Sequence, residues 1–214
     1  MHADKSKAWK YSWFSLKGES AFYYNKRVNV MMKCMLYFFV LLSFVANTGI
    51  ANSSDATGGW NEAGLRMGIQ AGPKKEYFHQ YEVFAVYALP WVWRSSSGWG
   101  VAPQLNTALG VLHTAADTGF IGKLGTGLTI SKTGFNLLPE FGINVDILGK
   151  RHFGKQDFGS QLLFGAYVGL SYHFDSGLGI GYRMMHTSNG HIFYPNGTPN
   201  PGLDLHMISV SWQL

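Results

Sequence analysis

Residues 135–148 read FNLLPEFGINVDIL. Phe135, Leu137, Phe141, Ile143, Val145 and Ile147 share one parity; Asn136, Glu140, Gly142, Asn144 and Asp146 share the other. Side chains alternate across a β-strand, so this stretch predicts a strand with one wholly apolar face and one face bearing two carboxylates. The same division recurs to either side. Over 119–131, Phe120, Leu124, Leu128 and Ile130 stand opposite Lys123, Gly125, Gly127 and Thr129. Over 98–112, Trp99, Val101, Leu105 and Leu109 oppose Gln104, Asn106, Ala108 and Gly110, and over 161–174 the outward set is Leu162, Phe164, Val168, Leu170 and Tyr172.

Further out, 63–72 alternates Leu65, Met67 and Ile69 with Arg66, Gly68 and Gln70, while 77–89 is apolar on both faces and leaves its outward side open. Residues 177–188 form the seventh segment, and 204–214 the last, with Ile208, Val210, Trp212 and Leu214 against Ser209, Ser211 and Gln213. Eight segments of this kind, without a sustained helical period, predict an all-β fold: an eight-stranded antiparallel transmembrane β-barrel with its apolar faces outward. The acids Glu140 and Asp146 then face inward, where Arg66, Lys123 and Arg183 share the interior as partners. Composition agrees. Only 14% of the chain is charged, against about 25% for an average soluble domain, and 27 glycines accompany 15% aromatic residues.

The run CMLYFFVLLSFVA at 34–46 follows Lys33 and precedes small residues, the pattern of a secretory signal peptide with cleavage after Ala51. It is too short for a membrane-spanning helix, which needs about 20 apolar residues. The expected organisation is an upstream extension at 1–30, with Met31 or Met32 as an ordinary start, a signal peptide at 31–51 and the barrel at 52–214. Seven of the 17 basic and two of the 12 acidic residues lie in 1–51, so the formal charge of +5 leaves with that segment and ten of each sign remain. Nucleic-acid binding thereby loses its support. The single cysteine, Cys34, also leaves, so no disulfide holds the remaining fold.

The seventh segment carries the chemistry. His186 and Ser188 share the apolar face of Leu178, Ile180, Tyr182 and Met184. A base and a nucleophile on a lipid-facing wall fit an enzyme whose substrate is itself a lipid. Serine needs a base to take its proton, and the base needs a third group to fix its tautomer. Asp204 opens the neighbouring strand at the same parity as Ile208 and Val210 and meets that need. A tetrahedral oxyanion needs a preorganised donor, for which Asn189, through its amide, or the backbone N–H of Gly190 is placed directly after the serine.

Linkers 132–133 and 175–176 are short, and 149–158 and 189–203 long. Barrels of this class keep tight turns in the periplasm and long loops outside, which sets His186 and Ser188 at the level of the outer leaflet, where lipopolysaccharide resides. Lys74, Lys75, Lys150, Arg151 and Lys155 fall in the outer loops, free for lipid phosphates or for solvent. Trp91, Trp93 and Trp99 read as interfacial belt residues. His79, His113, His152, His173, His191 and His206 show no metal-ligand spacing with an acid, so no cofactor and no metal is expected.

The segment HTSNG at 186–190, followed by NPGLD at 200–204 and a last alternating strand, resembles the lipid A 3-O-deacylase family of PagL type. The resemblance implies an eight-stranded outer-membrane barrel that removes the ester-linked acyl chain at the 3 position of lipid A. It implies Ser188 as nucleophile, His186 as base, Asn189 as oxyanion donor and Asp204 as orienting acid; the best-known pattern of the family has Glu at the acid position. Lipopolysaccharide and outer-membrane lipid are the expected partners, with monomer and homodimer both open. The HxSNG core also resembles outer-membrane phospholipase A, a larger calcium-using barrel whose twelve strands the residues after Ala51 are too few to build. A small non-enzymatic barrel is the other alternative.

Overall fold

The structure is a computed structural model and describes residues 58–192 and 197–214. The expected upstream extension and signal peptide fall outside the described residues. Eight long strands, β1 (Gly59–Gln70), β2 (His79–Ala88), β3 (Trp99–His113), β4 (Thr118–Lys132), β5 (Leu137–Leu148), β6 (Leu162–His173), β7 (Leu178–Ser188) and β8 (Leu203–Gln213), each pair antiparallel with their sequence neighbours. β1 also pairs with β8, from Glu62↔Gln213 to Gln70↔Leu205, and closes the sheet into a barrel. Closure pairs each of the eight long strands on both sides. Links 71–78, 114–117, 149–161 and the described parts of 189–202 gather at one rim; 89–98, 133–136 and 174–177 gather at the other.

Two differences from the sequence reading have a local cause. β1 begins before residue 63, because pairing with β2 steps from Trp60↔Tyr87 to Glu62↔Val86. The extra residue, Asn61, is a bulge, and a bulge inverts the parity on which alternation depends. In β2 the register resolves the open face: Tyr81 and Val83 point out, while Gln80, Glu82, Phe84 and Val86 are buried inside.

The outer wall is apolar on every strand, with Leu65, Val83, Leu109, Leu124, Ile143, Val168, Ile180 and Ile208 all exposed. Trp60, Trp91, Trp99, Phe135 and Trp212 stand exposed at the rim that also holds links 89–98 and 133–136, an aromatic girdle suited to a membrane interface.

Eight strands give an interior just wide enough for side chains to fill, and here it is filled in two layers. Next to the rim of the long loops, Phe78, Phe153 and Phe158 pack edge to face at centroid distances of 5.6 to 6.0 Å, with Leu112, Leu148, Leu163, Leu203, Leu205, Met185 and Met207 around them. Below lies the polar layer. Arg183 grips Glu140 through Nε and Nη2, the latter 2.7 Å from Oε2, and its guanidinium lies 4.3 Å from the Tyr167 ring centroid. A Cβ on Gly169 would stand 2.7 Å from Arg183 Cγ and 2.8 Å from Glu140 Oε1, so only glycine leaves room for this pair. Arg66 bonds Glu82, which also faces Lys123 at 3.5 Å. Asp146 is held by Asn144 and by Thr187 Oγ1 at 2.9 Å. The void between Arg66, Asn106, Lys123, Tyr167 and Arg183 measures about 20 Å³, space for about one water molecule.

Candidate active site

β7 alternates cleanly. Met185 and Thr187 are buried, whereas Met184 and His186 are exposed on the outer wall. In the β7–β8 register His186 stands directly opposite Asp204. Side chains so paired project from the same face within contact range, and His186 Nδ1 lies 2.6 Å from Asp204 Oδ1. A carboxylate has no proton to give, so Nδ1–H donates, and the Nε2 lone pair is left to accept a proton. Both side chains reach the surface, the imidazole 55% and the carboxylate 37% exposed.

Ser188 closes β7 on the same face, half-buried, and pairs with Phe164 of β6. Two residues along a strand separate Cα atoms by about 6.5–7 Å, which an imidazole and a seryl rotor bridge between them. Ser188 Oγ has no hydrogen-bond partner among the described residues, the imidazole included.

The chain then turns sharply. Asn189 is fully buried, and its carboxamide is committed on both sides: Nδ2 donates to Phe158 O at 2.9 Å and Pro199 O at 2.8 Å, while Oδ1 accepts from His191 N at 3.0 Å. Its backbone N–H donates to Asn200 Oδ1 at 3.0 Å. Gly190 and His191 follow in left-handed conformation, φ 60° and 54°. The Gly190 N–H has no partner among the described residues.

Gly202, at φ 62°, closes the other side; a Cβ there would lie 2.9 Å from His186 Cε1 and 3.6 Å from Nε2. Any other residue strains the backbone and displaces the imidazole. Gly202→Ala is expected to lower ester hydrolysis by roughly 10²-fold, the effect of about 1 Å of misplacement, with the barrel still folded. Initial rates beside heat-modifiable gel mobility test this; a wild-type rate would show that the ring has slack.

Residues 79–213 match the family Lipid A 3-O-deacylase (PagL). The chain belongs to the lipid A 3-O-deacylase family. It is similar to Lipid A deacylase PagL of Bordetella bronchiseptica, with 26% identity over 142 residues that cover 63% of this chain and 77% of that protein. It also shares its fold with the crystal structure of the outer membrane enzyme PagL, at a TM-score of 0.60 and 17% identity, over 72% of this chain and 99% of that one. The barrel is thus an outer-membrane protein of an ester-hydrolase family. The matched span takes in His186, Ser188, Asn189, Gly190 and Asp204 and leaves out the link 71–78.

That link holds a residue the sequence did not tie to the site. Lys74 Nζ donates to Pro201 O at 2.9 Å and stands 3.7 Å from Asp204 Oδ2. Other rim cations are similarly occupied: Lys150 bonds Asp117 and holds that carboxyl below the usual carboxylate range, and Arg151 and His152 both face Asp157. His206, one outward position below Asp204, bonds Tyr182 Oη through Nδ1 at 2.6 Å with the rings stacked. His79 and His113 lie 6.4 Å apart between ring centroids beside Tyr81.

Proposed function

We propose that this deacylase-family barrel removes the ester-linked 3-O-acyl chain of lipid A by a Ser188–His186–Asp204 triad facing the outer leaflet. The observation that carries the reading is the His186–Asp204 pair, bonded at 2.6 Å on a mainly apolar outer wall, with Ser188 on the same face. Ionisable groups on a lipid-facing wall are costly and kept for function. Orientation follows from loop length: the rim nearest His186 carries links 149–161 and 189–202, and long loops face outward.

In this mechanism Ser188 Oγ attacks the ester carbonyl carbon while His186 Nε2 takes the hydroxyl proton. Asp204 stabilises the imidazolium through Oδ1. The tetrahedral intermediate collapses as the C–O bond to the sugar breaks and Nε2 returns its proton to the sugar 3-oxygen. Water, deprotonated by Nε2, then attacks the acyl-serine; the acyl C–Oγ bond breaks, Nε2 returns the proton to Ser188 Oγ, and a fatty acid is freed. The Gly190 N–H, without a partner among the described residues, is the oxyanion donor, and Asn189, whose carboxamide is committed to Phe158, Pro199 and His191, shapes the turn that presents it.

Mass spectrometry of lipid A from cells with and without the protein tests this. The expected result is loss of one 3-hydroxyacyl chain when the protein is present. Unchanged lipid A with hydrolysed phospholipid would instead assign a phospholipase, and no lipid change at all a structural barrel.

A further inference from the structure

We infer that Lys74 is a positioning residue for the triad acid, holding Asp204 through the link 71–78; the inference rests on the role of Asp204 proposed above. Asp204 has two carboxylate oxygens and one catalytic duty. Oδ1 meets the imidazole, and Oδ2 faces the Lys74 ammonium at 3.7 Å. Were Oδ2 free, rotation of the carboxylate would exchange the two oxygens and loosen the imidazole. Lys74 cannot follow such a rotation, because Nζ is also anchored on Pro201 O at 2.9 Å and its side chain is only 17% exposed. A lysine that far withdrawn from solvent is there because it is paired.

The backbone makes the same connection independently. Ala71 N donates to Asp204 O at 2.8 Å, so the link 71–78 is fastened to the start of β8 at both main chain and side chain. Gly202 and Leu203 lie between the fastenings at Pro201 and Asp204, and Gly202 packs against the imidazole. Lys74 thus fixes in one place the carboxylate that orients His186 and the short segment that walls it. Its charge also opposes that of Asp204 at a surface where lipid weakens solvent screening. The competing use of a rim lysine is contact with a lipid A phosphate, which would act on binding rather than on turnover.

The test measures kcat and KM of the refolded full chain in detergent micelles, on lipid A with and without its phosphates. Lys74→Ala is expected to lower kcat roughly 10- to 100-fold with KM little changed on either substrate, and Lys74→Arg to restore most of it. Lys74→Gln keeps a donor for Pro201 O without the charge and gives an intermediate kcat; it also serves should the alanine variant fail to fold. In an Asp204→Ala background, Lys74→Ala adds no further loss, since residues acting through one another are not additive. Additive losses, or a defect in KM that vanishes on the phosphate-free substrate, overturn the inference. If Asp204→Ala is inactive and Lys74→Ala keeps wild-type kcat, only the role of Lys74 falls; if Asp204→Ala keeps wild-type kcat, the triad acid falls and the role of Lys74 with it.

Discussion

Ser188→Ala is expected to reduce lipid A deacylation by roughly 10⁴- to 10⁶-fold, the range seen when a serine nucleophile is removed from a triad that acts as a unit. His186→Asn should fall in the same range, and the double variant should be scarcely worse than either single one. Asp204→Asn, which reverses the hydrogen bond to Nδ1 and favours the wrong tautomer, is expected to lose roughly 10⁴-fold. None of these changes touches the packed interior: Asp204 and His186 are 37% and 55% exposed at their side chains, and Ser188 ends its strand. The barrels should therefore refold and keep wild-type heat-modifiable mobility. Fatty-acid release followed by mass spectrometry gives the rates. A Ser188→Ala protein retaining a tenth of wild-type rate would remove Ser188 from the chemistry.

The second large effect lies inside the barrel. Glu140→Ala should destabilise the fold by roughly 3–5 kcal/mol, because it strands the Arg183 guanidinium without its bonded counter-charge. Arg183 and Glu140 have side chains only 9% and 8% exposed and share two hydrogen bonds. Asn106 Oδ1, at 3.4 Å from Nη2, is too distant to take over. Replacing both partners together, Arg183→Met with Glu140→Leu, should cost far less, since two matched apolar groups leave no charge behind. Reversible urea unfolding in lipid vesicles measures the difference. Equal losses for the single and paired changes would mean that shape, rather than charge, sets the stability of this layer.

Much of this architecture was legible because a barrel wall imposes a period of two on residues facing lipid, and lipid tolerates few exceptions. The alternation at 135–148 places each side chain of β5 correctly, and the interior positions of Arg66, Lys123 and Arg183 follow from parity. Glu82 escaped because Phe84 and Val86 occupy the inner face of β2 beside it, so both faces read as apolar. The bulge at Asn61 hid the first turn of β1 by shifting parity. At the site, the shared face of His186 and Ser188 is a consequence of spacing, and the juxtaposition of Asp204 follows from strand order together with parity. Two features were beyond reach. The direction of the Asn189 carboxamide depends on carbonyls of Phe158 and Pro199 presented by other loops. Lys74 meets Pro201 across a separation of 127 residues, which no local pattern records.

The filled interior has a kinetic corollary. With room for about one water molecule between its central charged side chains, the barrel offers substrate no passage through its middle, and His186 and Asp204 open sideways from its wall. Under the proposed triad, encounter is a two-dimensional collision within one leaflet. The rate should follow the mole fraction of substrate in the surface and should fall on dilution with inert lipid at constant bulk concentration. Both products start their departure in the plane from which the substrate came.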